Sequence, residues 1–141
     1  VGGSRQRQHA ASDGMRRLID TAVLIDHLRG DSRARDLLIA FARAGDELWS
    51  SVLVRTEVLA GARRGEERVT QRLLATFRWQ EVTLEIADQA GTLARQYAKA
   101  HSGVDAVDYI LAATTLVLGA ELVTLNVKHF PMFPELRPPY R

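Results

Sequence analysis

The chain has 141 residues, which is enough for one domain with a buried core and too few for two domains of ordinary size. The absence of cysteine excludes disulfide frameworks, thiol nucleophiles and thiolate zinc sites. The formal net charge is only +2, so charge alone does not indicate a nucleic-acid partner. Arg accounts for 17 of the 19 basic residues, and its planar donor fork suits phosphates, although a GC-rich genome would produce the same bias.

The sequence also limits where the protein is expected to act. No apolar stretch approaches the length of about 20 residues that crosses a bilayer, and the start of the sequence does not resemble a secretory signal. We therefore expect a soluble protein without membrane association, and a reducing cytoplasm is compatible with the composition. Residues 1–14 lack a periodic apolar pattern and predict a disordered N-terminal extension, so residues 15–141 make up the single predicted domain.

Short apolar runs alternate with helical patterns along this domain. In chain order the patterns predict a strand at 16–20, helices at 21–29 and 32–44, a strand at 47–51, helices at 52–62 and 66–77, a strand at 79–83, helices at 84–100 and 105–118, and a strand at 121–125. The tail from Pro131 is predicted to be irregular, with room for one more short pairing segment. This alternation favours an α/β fold whose central, mostly parallel sheet of about 4–5 strands carries helices on both faces.

Acidic and amide side chains lie where this sheet would place a functional site. Asp20 ends the first strand, Glu57 lies in the helix after the second, and Asn126 follows the last. Asp105 and Asp108 are three residues apart near the start of a helix, so they share a face. Active sites of parallel sheets form at the carboxyl ends of the strands, and acids beside apolar residues are costly to desolvate unless a hard cation compensates them. The pattern therefore predicts a metal-dependent enzyme.

Four motifs follow one another along the chain. They are Ile19-Asp20-Thr21, Glu57-Val58-Leu59-Ala60-Gly61, Asp108-Tyr109-Ile110-Leu111-Ala112-Ala113-Thr114, and Thr124-Leu125-Asn126-Val127-Lys128-His129-Phe130. In this order they resemble the motifs of PIN-domain ribonucleases of the VapC toxin type. Each motif is weak alone, but their order and spacing over residues 15–133 are specific. The resemblance implies a PIN-like fold, Mg²⁺ or Mn²⁺ bound by the acids, and endonucleolytic cleavage of structured RNA that inhibits translation. It also implies a homodimer and a VapB-like antitoxin whose C-terminal segment enters the active-site groove.

The resemblance carries over to particular residues of this chain. Asp20, Glu57 and Asp108 match the family's acidic positions, whereas the fourth position is Asn126, where many relatives have an acid in or just after that segment. An amide oxygen can bind Mg²⁺ or orient water but adds no charge, which puts a second metal in doubt. Asp105 is a candidate for the missing carboxylate.

These residues suggest a division of roles. The working hypothesis is that Asp20 and Asp108 bind the principal Mg²⁺ and that Glu57 holds or deprotonates the attacking water. Asn126 or Asp105 completes the outer shell. The hydroxyls of Thr21 and Thr124 are candidates to orient the carboxylates or the water.

Structural explanations compete with these roles. Asp20 and Asp105 are also good helix N-caps, Glu57 could be a solvated helix residue, and Asp108 could only compensate the dipole of its helix. Asp26 and His27 read as a surface pair, while His129 could contact phosphate or metal or be structural. Candidate phosphate contacts are Arg29, Arg43, Arg55, Arg63, Arg64 and Arg68.

Two other functions are compatible with parts of the pattern. Aspartyl-phosphate phosphatases also begin with a strand that ends in Asp, but they need a second Asp two residues later, where this chain has Ala22. A catalytically weak RNA-binding or antitoxin-binding module with a PIN-like fold would tolerate Asn126. RNA cleavage that depends on metal separates the enzyme from this module.

Overall fold

The computed structural model describes residues 14–141, so the predicted N-terminal extension lies outside the described residues except for Gly14. This part of the chain contains four strands and six α-helices followed by a short 3₁₀ helix. In chain order they are β1 (Arg16–Ile19), α1 (Thr21–Leu28), α2 (Ser32–Arg43), β2 (Glu47–Ser51), α3 (Val52–Ala60), α4 (Glu67–Ala75), β3 (Arg78–Gln80), α5 (Leu84–Tyr97), α6 (Ala106–Leu118), β4 (Glu121–Val123) and the 3₁₀ helix (Val127–His129). The predicted α/β fold is confirmed.

The four strands form one parallel sheet in the order β3-β2-β1-β4. Strand β1 is central, with Leu18 opposite Trp49 of β2 on one side and Leu122 of β4 on the other. All strands run in the same direction, so their carboxyl ends meet at one edge of the sheet. The residues that follow β1 and β4 are therefore brought close together although about 100 positions separate them in the sequence.

The core lies between the sheet and the helices packed on it. Leu18 and Ile19 of β1 are fully buried, as is typical of the apolar residues in a parallel sheet that is covered by helices. They lie in one cluster with apolar residues of all six helices, and helix α5 packs extensively along α6. Among residues 14–141, the helices all fall short of the length and apolar character needed to span a bilayer.

Local polar contacts explain where the structure departs from the predicted bounds. Strand β3 is Arg78–Gln80 rather than 79–83, because Thr83 already caps α5 by accepting a hydrogen bond from the amide of Ile86 at 3.2 Å. Strand β4 ends at Val123 because the hydroxyl of Thr124 accepts from the amide of Asn126 at 3.0 Å, which turns the chain. Within the described residues, the tail after Pro131 forms turns rather than a fifth strand, so the sheet has four strands.

The end of α6 is set by Gly119, whose φ of 62° places it in the left-handed region that glycine tolerates best. The amide of Gly119 donates to the carbonyl of Leu116 at 3.1 Å and so satisfies one of the last carbonyls of the helix. The chain can then reverse directly into β4, which returns it to the edge of the sheet beside β1.

A buried carboxylate fixes the start of β1 against the loop that precedes β2. The side chain of Asp46 is 4% exposed and accepts hydrogen bonds from the amide of Met15 at 2.9 Å and from Nε of Arg17 at 2.8 Å. Burial alone would raise the pKa of Asp46, but these hydrogen bonds and the charge of Arg17 hold the pKa below its usual value. The ionised carboxylate therefore stabilises the native state.

We predict that Asp46→Asn lowers the free energy of unfolding by about 1.5–3 kcal/mol at pH 7, the range for hydrogen bonds to a charged group. The folded pKa of Asp46 lies below the unfolded value, so this stabilisation is present above the unfolded pKa and is lost as pH falls through the folded pKa. The difference in free energy of unfolding between wild type and variant, measured by urea unfolding, should therefore be smaller at about pH 3.5 than at pH 7.

Asp36→Asn is the control, because Asp36 is an exposed acid whose one ion pair within residues 14–141 is with the neighbouring Arg35. Its effect should stay within about 0.5 kcal/mol. Equal effects of the two substitutions at pH 7 would contradict a stabilising role for Asp46.

Candidate active site

Asp20 stands directly after β1 and is held on both carboxylate oxygens. Its own amide donates to the carbonyl of Val123 at 2.9 Å, which extends the β1–β4 pairing by one step. Its Oδ1 accepts from the amide of Thr21 at 2.7 Å, so Asp20 caps α1. Its Oδ2 accepts from the hydroxyl of Thr124 at 2.7 Å. The cap does not exclude a site role, because the same contacts fix the orientation of the carboxylate.

The second carboxylate arrives on α3. Ser51 ends β2 and caps this helix by accepting from the amide of Leu53 at 3.1 Å, which starts the helix at the sheet edge. Glu57 is exposed and lies further along α3, and its Oε1 accepts a hydrogen bond from the hydroxyl of Thr21 at 2.6 Å. Thr21 therefore links Glu57 to the segment that carries Asp20.

The third and fourth carboxylates share the start of α6. Asp105 caps this helix by accepting from the amide of Asp108 at 3.1 Å, and Oδ2 of Asp108 accepts from the amide of Asp105 at 3.2 Å. This reciprocal capping box fixes both side chains. The capping alternative for Asp105 is thus observed, and the backbone amide of Asp105 holds the carboxylate of Asp108.

The electrostatic environment of Asp108 is unfavourable for its negative charge. The side chain is 17% exposed, and Nδ1 of His129 lies 3.5 Å from its Oδ2. Burial raises the pKa of Asp108, and the negative charge of Asp105 raises it further. The hydrogen bond from the amide of Asp105 and the charge of His129 lower the pKa but do not cancel this increase. A cation beside Asp108 would relieve this cost.

All five site residues predicted from the sequence line one cleft of about 470 Å³ at the carboxyl edge of the sheet. These are Asp20, Glu57, Asp105, Asp108 and Asn126. Thr21 and His129 line the same cleft, whereas Thr124 is fully buried beneath Asp20. The sheet topology thus brings together residues that the sequence places on four separate segments.

The donor chemistry of the cleft fits a hard divalent cation. Within residues 14–141, no three acidic or histidine side chains are close enough to enclose a single ion in this arrangement. Mg²⁺, however, keeps several waters and is usually bound through one or two carboxylates. The carboxylates of Asp20 and Asp108 and the amide oxygen of Asn126 suit such an open, hydrated site.

Two residues of the cleft, Asp26 and Arg141, were not predicted from the sequence. The predicted surface pair of Asp26 and His27 is wrong, because Oδ2 of Asp26 accepts from the hydroxyl of Tyr140 at 2.8 Å and from Nη2 of Arg141 at 2.9 Å. Nδ1 of His27 is buried without a partner among the described residues. Asp26 and Arg141 both line the cleft, and nothing local in the sequence indicates a contact across 115 positions.

The arginines proposed as phosphate contacts lie elsewhere. None of the six lines the cleft within the described residues, and Arg29 binds Glu66 at 3.0 Å and the carbonyl of Gly61 at 3.0 Å. A direct role for these arginines at the cleft is therefore not supported by their positions.

Comparison with known proteins bears on the family of this chain. A family model described as the PIN domain matches residues 17–132. Ribonuclease VapC19 of Mycobacterium tuberculosis is 48% identical over 124 residues, which are 88% of this chain and 99% of that protein. Ribonuclease VapC10 of the same species is 46% identical over 123 residues, covering 87% of this chain and 92% of that protein.

A solved structure gives the same answer for the fold. A chain of a toxin–antitoxin complex from Klebsiella pneumoniae superposes with a TM-score of 0.75 at 30% identity, covering 88% of this chain and 98% of that chain. The resemblance carried by the four motifs is therefore confirmed, and the chain belongs to the PIN-domain family and, within it, to the VapC proteins.

Proposed function

We propose that this chain is a VapC-type ribonuclease toxin of a toxin–antitoxin module, which hydrolyses phosphodiester bonds within structured RNA and so inhibits translation. The observation that carries the proposal is the cleft in which Asp20, Glu57 and Asp108 converge at the carboxyl edge of the sheet. The relatives VapC19 and VapC10, both named ribonucleases, support an RNA-hydrolysing activity.

The proposed activity depends on a divalent cation, Mg²⁺ or alternatively Mn²⁺, as is general for PIN-domain ribonucleases. Asp20 and Asp108 would hold the ion, since they project from the end of β1 and from the first turn of α6 into the same cleft. Such an ion, when bound, lowers the pKa of a coordinated water and neutralises charge on the scissile phosphate.

The remaining roles belong to side chains of this chain. Glu57 accepts the proton of the attacking water, with the hydroxyl of Thr21 fixing its Oε1. Thr124 holds the Asp20 carboxylate, and Asp105 positions Asp108 through the capping box, with its own contribution to the ion confined to the outer shell. Asn126 supplies a neutral amide oxygen at the fourth position.

Control by a partner is part of the proposal. We expect a VapB-like antitoxin whose C-terminal segment enters the active-site groove, and a homodimer of this chain. The structural relative from Klebsiella pneumoniae belongs to a toxin–antitoxin complex, which supports an antitoxin partner.

A catalytically weak RNA-binding or antitoxin-binding module is the second candidate. It is favoured by Asn126, which adds no charge, and by the open arrangement of the acids, in which no three described side chains enclose one ion. Metal binding and metal-dependent cleavage distinguish it from the enzyme.

Asp20→Asn and Asp108→Asn should each lower RNA cleavage at least about a hundredfold, because each removes the negative charge of a proposed metal ligand. The isosteric amide retains an oxygen for the helix cap, so the fold is preserved. The measurement is the initial rate of cleavage of total cellular RNA in Mg²⁺, with mapping of the new ends, and chelation by EDTA should abolish cleavage by wild type. Asp88→Asn, on the exposed face of α5, is the charge-matched control and should keep the wild-type rate. Wild-type rates for Asp20→Asn would refute the proposed site.

Thr124→Val should lower the cleavage rate about 10–100-fold, because it removes the hydroxyl that orients Asp20 while retaining the side-chain shape. Thr114→Val is a matched control, since Thr114 is also buried and its hydroxyl, among the described residues, donates to the carbonyl of Ile110 in its own helix. Rates are compared at a temperature where thermal melts show both variants fully folded. Equal losses in the two variants would show that Thr124 acts only through packing.

Mn²⁺ binding followed by electron paramagnetic resonance tests the ion site without reference to activity. Wild type should bind Mn²⁺ in the cleft, and Asp108→Asn should weaken the affinity by tenfold or more, about 1.4 kcal/mol. Asn126→Asp should tighten binding, because it restores a charged ligand at the fourth position. Unchanged affinity in Asp108→Asn would favour the non-enzymatic module.

A further inference from the structure

The cleft is strongly acidic for a site that is to receive RNA. Five carboxylates line it, from Asp20, Asp26, Glu57, Asp105 and Asp108. Arg141 is the single Arg or Lys among the lining residues of the described chain. A bound cation offsets part of this charge at the reacting phosphate, but the neighbouring phosphates of a polyanion need donors of their own.

Arg141 is fixed at the cleft by long-range contacts. Nη2 of Arg141 donates to Oδ2 of Asp26 at 2.9 Å, and the hydroxyl of Tyr140 donates to the same oxygen at 2.8 Å. The guanidinium carbon of Arg141 lies 5.7 Å from the centre of the Tyr140 ring, and that of Arg33 lies 5.1 Å from it. Asp26 on α1 therefore anchors the end of the tail at the cleft.

The hydroxyl of Tyr140 remains a hydrogen-bond donor over a wide pH range. The pKa of Tyr140 is raised, foremost by burial and then by its hydrogen bond to Asp26, so the hydroxyl keeps its proton and remains a donor.

The guanidinium of Arg141 retains donors for a ligand. Its side chain is 52% exposed, and one of its terminal nitrogens is engaged by Asp26 while a guanidinium carries five N–H donors. A guanidinium held at one terminal nitrogen still offers the N–H groups of its other two nitrogens, which suit the oxygens of a phosphate.

We propose that Arg141 binds a backbone phosphate of the RNA beside the scissile bond, and that Asp26 and Tyr140 are positioning residues that hold its guanidinium at the cleft. This assignment rests on the proposed ribonuclease function. It adds a substrate-binding residue that lies outside the four sequence motifs.

The test measures RNA binding separately from cleavage. In an Asp108→Asn background, a fluorescein-labelled single-stranded RNA of mixed sequence is titrated with the full chain in Mg²⁺ at several salt concentrations. Arg141→Gln should weaken binding about tenfold and reduce the slope of log K against log salt by about 0.7, the value for one phosphate contact on a single strand. Arg141→Lys should restore the slope but only part of the affinity, because it keeps the charge and loses the fork.

Arg137→Gln is the matched control. Arg137 is an exposed arginine of the same tail, donates to the main-chain carbonyls of Pro134 and Leu136, and lines a different cavity. It should change the dissociation constant less than twofold. Equal losses of affinity and slope in Arg141→Gln and Arg137→Gln would overturn the proposal, since they would report only the total charge of the protein.

Positioning by Asp26 and Tyr140 has a kinetic signature. In the wild-type background, Tyr140→Phe and Arg141→Gln should raise KM for RNA with little change in kcat, whereas general destabilisation would lower the active fraction and kcat. If wild type cleaves no RNA in Mg²⁺, the proposed function fails whatever the binding results. If cleavage is normal and Arg141→Gln binds RNA as wild type does, only the role of Arg141 fails.

Discussion

The carboxylate of Asp20 is held where two neighbouring strands end, by the hydroxyl of Thr124 on one oxygen and by the amide of Thr21 on the other. Because β1 and β4 are parallel and paired as far as Ile19 and Val123, the residues that follow them emerge side by side. The Thr124 hydroxyl also accepts from the amide of Asn126, so one buried group sets both the carboxylate and the loop that brings Asn126 and His129 to the cleft. The other carboxylates are arranged around this fixed point.

The remaining acids are positioned by hydrogen bonds on the helices rather than by the sheet. Glu57 is linked to Asp20 by Thr21, and Asp108 is oriented by the reciprocal cap with Asp105. Burial first, and then the negative charge of Asp105, raise the pKa of Asp108, so its ionised form is costly without a cation. In the proposed mechanism, a divalent cation would offset this negative charge at the reacting phosphate, and the guanidinium of Arg141 would offset it beside that phosphate.

Much of this arrangement could be predicted because its signals are local or follow from topology. Acids at strand ends and helix starts converge in a parallel sheet, so Asp20, Glu57 and Asp108 were found from the sequence and lie in one cleft. Strand ends at Gln80 and Val123 were misjudged because side-chain hydrogen bonds of Thr83 and Thr124, not hydropathy, end those strands. The contact of Asp26 with Arg141 has no local signal, since it depends on where the irregular tail returns to α1.

We propose that a divalent cation is held between the end of β1 and the start of α6. The most direct measurement is anomalous X-ray scattering from crystals of the full chain soaked in Mn²⁺. We expect a single strong anomalous peak in the cleft within coordinating distance of both Asp20 and Asp108. This peak should be absent from crystals of Asp108→Asn. A peak away from these carboxylates, or none in crystals of protein that cleaves RNA, would contradict the proposal.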